Sequence, residues 1–323
     1  MKKVLTFALA AAMTLSLAAC GAPSAGKPYK IGLLQYGQHA SLDNCREGFL
    51  QGLEDAGLVE GTDYTVDYQN AGFDNAMDTQ IAGKFSSEDV DMMVGVATPS
   101  AVACYTAAEE KNIPVIYVAV SDPAAAGLDS GNITGTSDAL PVDAQLQLIR
   151  AMQPDAKTIG ILYTTSEPNS VSTIAEYQEK AGSYGFTIDA VGVTTPAEVP
   201  QGADTLISHK VDCFSNLTDN NVVGVLPSIL EKTSEAGIPV YGSEIEQVKI
   251  GCAASAGIDY VQLGKQTGAM AAKVIRGEAT CDQIPFETID SYSTYINSDV
   301  LDAMGISVPS DIAANAVEAS AAA

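Results

Sequence analysis

The second half of this 323-residue chain repeats the order of segments found in its first half. In both halves, short apolar runs alternate with amphipathic stretches, and each run leads through a polar loop into a helical pattern. The paired segments are Lys30–Leu34 with Thr158–Leu162, Val90–Val94 with Val211–Phe214, and Asn112–Tyr117 with Gly237–Tyr241. This alternation is typical of βαβ units that build a parallel sheet covered by helices. The repeat therefore predicts an α/β fold with two Rossmann-like lobes, each around a parallel central sheet.

The charge of the chain is strongly acidic. It has 40 Asp and Glu against 16 Lys and Arg, a formal net charge of −24, and 46% hydrophobic residues. The apolar content is enough for two cores and excludes a disordered chain. Proteins that bind nucleic acid neutralise phosphates with Lys and Arg, so we expect no nucleic-acid partner.

The first twenty residues have the pattern of a secretory signal peptide. Lys2 and Lys3 precede an apolar run, and the run ends in Leu17-Ala18-Ala19-Cys20. This ending resembles a bacterial lipobox, in which Cys20 becomes the lipidated first residue of the mature chain. Residues 21–28 are small and contain Pro, which is typical of a tether. We therefore expect an extracytoplasmic protein that is anchored to the membrane by lipid.

The remaining cysteines give no sign of a metal or redox site. Cys45, Cys104, Cys213, Cys252 and Cys281 are odd in number and have no CxxC spacing. A disulfide between Cys252 and Cys281 is conceivable outside the cytoplasm, but we favour buried free thiols. We expect no metal and no cofactor.

The predicted ligand site is a cleft between the lobes, because ligands bind beyond the carboxyl ends of parallel strands. Crossovers near residues 136–142, 257–260 and 280–285 would form the hinges. These boundaries predict an N-terminal lobe of residues 29–138 and 259–282, and a C-terminal lobe of residues 139–258 and 283–308. An Ala-rich flexible tail would occupy residues 309–323.

The loops at the predicted strand ends carry acids but neither Arg nor Lys. A bidentate clamp for phosphate is therefore missing, and a cationic group is the better partner for these acids. The acids are Asp43, Asp122, Asp138, Asp219 and Glu244. Asp43 and Asp219 stand where helices begin, so helix capping alone is an equal explanation for them. We expect one of the acids, with Asp138 favoured, to meet an ammonium group.

Thr98-Pro99-Ser100 follows an apolar strand and opens a helix. The N–H groups and dipole of a helix N-terminus bind a carboxylate without a formal cation, although Thr98 could simply be a cap. A carboxylate site in one lobe and an ammonium site nearby suit a zwitterionic amino acid. Tyr36 and Tyr163, at equivalent strand ends, could stack on a flat side chain. His39 could contact the ligand or be exposed.

Seven short motifs, in this order, carry a resemblance to a known family. They are Ile31-Gly32-Leu33-Leu34-Gln35-Tyr36 with His39-x-Ser41-Leu42-Asp43, then Ala97-Thr98-Pro99-Ser100, Val120-Ser121-Asp122-Pro123, Gly135-Thr136-Ser137-Asp138, Thr218-Asp219-Asn220 and Gly257-Ile258-Asp259-Tyr260-x-x-Leu263-Gly264. From Lys30 to about Ile306, the chain is similar to the substrate-binding lipoproteins of ABC transporters whose members bind tryptophan, phenylalanine or tyrosine.

The resemblance implies a type I periplasmic-binding-protein fold and closure of two lobes on one amino acid, for which an aromatic side chain (Trp, Phe or Tyr) is expected. It also implies delivery to a membrane permease powered by a separate ATPase, with the binding protein acting as a monomer. Matching positions suggest that nine residues lie near the ligand: His39, Leu42, Thr98, Ser100, Ser121, Asp138, Asp219, Asn220 and Glu244. Tyr36 is the tenth expected ligand residue, on the stacking argument above. Gln38 and the run Ser243–Glu246 depart from the family's commoner residues, which bears on side-chain preference.

Three other functions remain as alternatives. GxSxG, HExxH and CxxC motifs are missing and the chain has two histidines, so catalysis is the least favoured. A sugar- or nucleoside-binding protein of the same fold would also use polar groups and stacking aromatics. A lipid-anchored sensor or adhesion module would need no transporter.

Overall fold

The N-terminal lobe begins with three strand-and-helix units, which are followed by two more strands. The computed structural model of the chain describes residues 27–289 and 292–319. The elements of this first segment are β1 (Tyr29–Gln35), α1 (Ala40–Asp55), β2 (Tyr64–Asn70), α2 (Asn75–Ser87), β3 (Met92–Val96), α3 (Thr98–Ala108), β4 (Val115–Val118) and β5 (Ile133–Ser137). The lobe is completed much later in the chain by α10 (Tyr260–Ile275) and β11 (Glu287–Thr288).

The sheet of this lobe is entirely parallel and has the order β11-β5-β4-β3-β1-β2. Every residue of β3 and β4 is buried, because helices cover both faces of the sheet. The expected parallel sheet is thus present, and the carboxyl ends of β1, β3, β4 and β5 lie along one edge. That edge faces the second lobe.

The C-terminal lobe is built in the same way. Its elements are α4 (Val142–Met152), β6 (Thr158–Thr164), α5 (Pro168–Lys180), β7 (Thr187–Val193), α6 (Val199–Ser208), β8 (Cys213–Ser215), α7 (Asn220–Gly224), α8 (Leu226–Ala236), β9 (Val240–Tyr241), α9 (Ile245–Ile250), β10 (Ala254–Gly257), β12 (Ser293–Ile296), α11 (Ser298–Ala303), α12 (Ser310–Ala313) and β13 (Val317–Glu318). The sheet order is β13-β12-β10-β9-β8-β6-β7, and β12 is antiparallel to β10.

The chain passes between the lobes after β5, after β10 and after β11. The last passage lies later than the expected crossover at residues 280–285. Glu287 and Thr288 still pair with Thr136 and Ser137, so this strand keeps the chain in the N-terminal lobe. The expected flexible tail also differs, because α12 and β13 lie within it and Val317 pairs with Tyr295. The sequence-based boundary at 282 and the free tail from 309 are therefore corrected.

Helix α10 packs closely on α1 and so holds residues 260–288 in the N-terminal lobe. Gly264 approaches α1 so closely that a Cβ atom there would lie 2.3 Å from the Cys45 carbonyl oxygen. A Cβ atom on Gly268 would lie equally close to the Phe49 carbonyl oxygen. Small residues spaced by four thus let the two backbones touch, which a side chain at either position would prevent.

The cysteines of the described segments agree with the interpretation as free thiols. Cys45, Cys104, Cys213, Cys252 and Cys281 are all buried and unpaired with one another. Burial raises the pKa of the Cys281 thiol to about 12. None of the helices described is long and apolar enough to cross a bilayer. Cys20 and the signal sequence lie outside the described residues.

Candidate functional site

A cavity lies between the lobes, at the carboxyl ends of the strands of both sheets. About 350 Å³ of space in this region is not filled by protein atoms, and part of that space is open to solvent. No lysine or arginine is among the described residues that line it. The lining residues are His39, Ser41, Leu42, Ala97, Thr98, Ala119, Ser121, Asp138, Asn169, Thr218, Asp219, Asn220, Val223, Ser243, Glu244, Gln247 and Tyr260.

Eight of the ten ligand residues suggested by the sequence line this cavity. They are His39, Leu42, Thr98, Ser121, Asp138, Asp219, Asn220 and Glu244. Tyr36 and Ser100 are not among the lining residues. The Ser100 hydroxyl turns toward α2 and donates to the buried Asp78 carboxylate at 2.7 Å. The Tyr36 ring turns toward the loop after β2 and packs edge-on against Phe73.

Buried carboxylates occupy the walls, and protein donors already contact each of them. Asp138 accepts hydrogen bonds from Ser121 and Tyr260, both at 2.8 Å. Glu244 accepts from the Ser41 hydroxyl of the other lobe at 3.0 Å. Burial raises the pKa of Glu244 to about 7, and it also raises the pKa of Asp138. The walls therefore favour an added cation, which would stabilise the ionised forms.

Two of the acids also cap helices, and for Asp219 this agrees with the capping explanation given for it from the sequence. Asp219 is the N-cap of α7 and accepts from the Val222 N–H at 2.9 Å. Glu244 caps α9. Asp43, by contrast, does not cap α1, and it pairs with Arg46 at 3.1 Å. Capping holds the carboxylates of Asp219 and Glu244 rigidly beside the cavity.

Several buried polar atoms in the cavity have no hydrogen-bond partner among the described residues. They are the hydroxyl of Thr98, the amide oxygen of Asn169 and both ring nitrogens of His39. Burial lowers the pKa of His39 to about 4, an effect that the neighbouring Asn220 amide partly offsets. Because a buried unsatisfied polar group is costly, such atoms mark places where a ligand would bind.

The start of α3 offers donors for an anion. Thr98 is its first residue and Pro99 follows, and the preceding residue Ala97 has no side-chain cap and a positive φ of 78°. The first N–H groups of a helix have no partner within the helix. Together with the unpartnered Thr98 hydroxyl, these donors have the chemistry that a carboxylate requires.

Other lining residues were not named as ligand residues from the sequence, although three of them lie in the motifs that carry the family resemblance. Ser41, Asn169, Thr218, Gln247 and Tyr260 also line the cavity. The first four lie within or beside the predicted loops, so their position along the chain was a usable signal. Neither of the aromatic side chains expected at the cleft, Tyr36 and Tyr163, is among the lining residues.

Phe73 covers the edge of this region from the N-terminal lobe. Its ring stacks on His39, with centroids 6.3 Å apart. A Cβ atom on Gly224, at the end of α7 in the other lobe, would lie 3.0 Å from the tip of the Phe73 ring. Phe73 has a φ of 65°, which is strained for a bulky residue. The ring therefore bridges the two lobes beside the cavity.

Direct hydrogen bonds also join the two lobes. Ser121 and Thr218 share one at 3.0 Å, and Asn44 donates to Glu246 at 3.1 Å. The Ser172 hydroxyl donates to Asp122 across the same gap. These contacts, with the Ser41 bond to Glu244, hold the lobes together around the cavity.

Two duplicated α/β lobes around a central polar cavity define a two-lobed small-molecule binding protein. Residues 30–320 match the family described as ABC transporter substrate binding protein. The chain belongs to this family. Such a protein captures its small-molecule ligand outside the cytoplasm and works with an ABC permease. The family is one of binding proteins rather than enzymes.

Individual relatives refine this assignment. The chain is 38% identical over 284 residues to the "Tyrosine-binding protein" of Clostridioides difficile, covering 86% of this chain and 81% of the relative. Its structure is similar to that of the ABC domain in complex with L-Trp from Streptococcus pneumonia, with a TM-score of 0.86, 31% identity, and coverage of 90% and 99%. These similarities confirm the type I periplasmic-binding-protein fold suggested by the motifs.

A further comparison concerns a relative whose structure is open. The ligand-free, open structure of a substrate binding protein with adhesive properties from Clostridium difficile is 38% identical to this chain, with coverage of 91% and 100%, but its TM-score is 0.67. The L-Trp complex scores higher at lower identity. In this chain, hydrogen bonds across the gap hold the two lobes in contact, so the cleft is closed.

Proposed function

We propose that this protein binds an aromatic L-amino acid, with tyrosine as the first candidate, and delivers it to an ABC permease. The observation that carries the proposal is the pair of opposed polar walls in a cavity without cations. The N-terminus of α3 and the Thr98 hydroxyl suit the ligand carboxylate, while the Asn169 oxygen and the surrounding acids suit the ammonium group. The relative named as tyrosine-binding and the L-Trp complex support the same ligand class.

Closure is the mechanism that this arrangement supports. Thr98 belongs to one lobe and Asn169 to the other, so a zwitterion contacts both only when the cleft is shut. Binding then shifts the population toward the closed form by the difference in affinity between the two forms.

A thermal-shift screen tests the ligand class. The mature chain without lipid would be screened against all amino acids, common sugars and nucleosides. We expect tyrosine, phenylalanine or tryptophan to raise the melting temperature, because a ligand that binds only the folded state stabilises it. A rise with sugars or nucleosides alone would favour the alternative function on the same fold. Recovery of the ligand unchanged by mass spectrometry would test our expectation that the protein has no catalytic activity.

We also propose that Cys20 carries the lipid anchor and that the protein acts as a monomer. The support for the anchor is the lipobox-like run before Cys20. Cys20→Ala should move the protein from the membrane fraction to the soluble fraction and abolish labelling with a palmitate analogue. Light scattering of the mature chain would test the monomer, for which a dimer mass is the contrary result.

A further inference from the structure

Glu167 is a buried acid that does not line the cavity but contacts residues that do. It lies just before α5 and is 1% exposed. Its carboxyl oxygens accept hydrogen bonds from Asn169, Asn220 and Asn221, and the first two of these residues line the cavity. Neither the sequence motifs nor the resemblance pointed to Glu167.

The geometry around one carboxyl oxygen fixes the orientation of both lining amides. Oε2 of Glu167 accepts from Nδ2 of Asn220 at 2.7 Å, from Nδ2 of Asn169 at 3.1 Å and from the Asn220 backbone N–H at 3.2 Å. Nδ2 of Asn169 also donates to the Thr218 carbonyl at 2.9 Å. Because these acceptors require N–H groups, the amide nitrogen of Asn169 is committed to this side.

The consequence is that the Asn169 amide oxygen turns the other way. That oxygen is buried and has no partner among the described residues, and Asn169 itself is 2% exposed. An acceptor held without a partner beside an otherwise acidic cavity matches a ligand group that only donates. An ammonium group has three such donors.

The orientation does not depend on whether Glu167 is charged. Burial, with a smaller contribution from Asp219, raises the pKa of Glu167 to about 8. Oε1 has one contact, from the Asn221 N–H at 3.3 Å, so a bound proton belongs on that oxygen. Oε2 then remains an acceptor for the same three N–H groups in either state.

We propose that Glu167 is a positioning residue that turns the Asn169 amide oxygen toward the ligand and so makes this wall specific for an ammonium group. The proposal rests on the proposed amino-acid function and adds the group that sets its selectivity. Glu167 acts through Asn169 and Asn220 and makes no contact with the ligand itself. It therefore affects discrimination between ligands with and without the amine more than overall packing.

The test compares L-tyrosine with 3-(4-hydroxyphenyl)propionic acid, which lacks only the amine, by titration calorimetry. Glu167→Leu removes the acceptor that the two amides share and leaves the Asn169 amide held by the Thr218 carbonyl alone. We expect it to reduce the wild-type preference for tyrosine over the des-amino acid by tenfold or more. Glu167→Gln keeps one acceptor oxygen, so its preference for tyrosine should stay within about threefold of wild type. A threefold change corresponds to RT ln 3, which is well under 1 kcal/mol.

Tyr177→Phe is the matched control. It removes another buried hydrogen bond of the same lobe, the one between the Tyr177 and Ser215 hydroxyls, at a residue that does not line the cavity. It should lower stability without altering the preference. If Glu167→Leu weakens both ligands equally, as a packing defect would, the positioning role is wrong.

A second readout separates this proposal from the proposed function. NMR of the side-chain amides should show slow hydrogen exchange for Asn169 in the wild type and in Glu167→Gln, and fast exchange in Glu167→Leu. Equal protection in all three proteins would overturn the positioning role. A wild-type protein that binds no amino acid, but keeps this exchange pattern, would overturn the proposed function and the ammonium assignment while leaving the orientation of the amides intact.

Discussion

The buried Thr98 hydroxyl lowers the stability of the ligand-free protein but is available to bind a ligand. Thr98 is 2% exposed, and its hydroxyl has no hydrogen-bond partner among the described residues. Leaving such a group unsatisfied costs about 1–3 kcal/mol. A carboxylate at the start of α3 would remove that cost, so the hydroxyl should contribute more to affinity than to stability.

We therefore expect Thr98→Val to weaken tyrosine binding by about tenfold or more, since a hydrogen bond to a charged group is worth about 1.5–3 kcal/mol. The ligand-free melting temperature should stay the same or rise, because the substitution removes an unsatisfied hydroxyl while keeping the shape. Calorimetry and thermal unfolding measure the two effects.

Thr134→Val provides the control for this prediction. Thr134 lies on β5, is 1% exposed, and also has a hydroxyl without a partner, but it does not line the cavity. Its substitution should affect stability in the same way and leave affinity unchanged. Unaltered tyrosine affinity in Thr98→Val would exclude the carboxylate site at α3.

Helices and strands could be predicted more reliably than the directions of their side chains. Periodic apolar runs identified the strands, and their order placed Asp138 and Asn220 at the ends that form the cleft. Ser100 shows the limit: it lies in the correct turn, but its rotation about α3 brings it to Asp78. Nothing in a single sequence gives that rotation. Glu167 was missed for a related reason, because its role depends on amides brought together from two loops.

The short strand β11 was another feature that sequence could not provide. It is two residues long and was placed beyond the lobe boundary, because so short a run has no periodicity to detect. Only its pairing with β5 reveals its lobe.

The contact between α1 and α10 predicts a large effect for a small substitution. Gly264→Ala should lower the free energy of unfolding by roughly 1–3 kcal/mol or more, since the added Cβ meets backbone atoms that cannot move separately. Urea unfolding measures this change. Gly83→Ala in α2 is the control, because nothing lies within 4 Å of its Cβ position, and it should stabilise by about 0.5–1 kcal/mol. Equal effects of the two substitutions would contradict the close contact.

The ring of Phe73 predicts an effect on ligand release. Phe73→Ala removes the contact that reaches Gly224 across the cleft, so the dissociation rate of tyrosine should rise several-fold while association changes little. Stopped-flow fluorescence measures both rates. Phe286→Ala, at an exposed phenylalanine that does not line the cavity, should leave them unchanged. An unaltered dissociation rate in Phe73→Ala would show that the ring does not retain the ligand.

Closure of the whole molecule brings acids into a shared low-dielectric space without a matching cation. In the closed form the pKa values of Glu167 and Glu244 are raised to about 8 and about 7, mainly by burial. If opening returns Glu244 to its ordinary value, closure of the empty protein takes up protons between that value and about pH 7. Closure should thus become more favourable as pH falls through this range.

Small-angle scattering of the ligand-free protein tests this linkage. The radius of gyration should decrease from pH 8.5 to pH 6.5. Below pH 6.5 the effect should weaken, because burial in the closed form holds the pKa of His39 at about 4, and a His39 that opening exposes to water must release a proton on closure. Glu244→Gln should reduce the decrease, because the amide cannot titrate. A radius that grows as pH falls to 6.5 would contradict the linkage.

The late return of α10 and β11 to the first lobe also has a consequence for the newborn chain. Buried residues of the first core include Leu263 and Cys281, which follow the entire middle of the second lobe in the sequence. A ribosome must therefore synthesise most of the polypeptide before that core can be completed. The N-terminal lobe can therefore complete its folding only after residues near the C-terminus have been synthesised, although most of its own residues are made first.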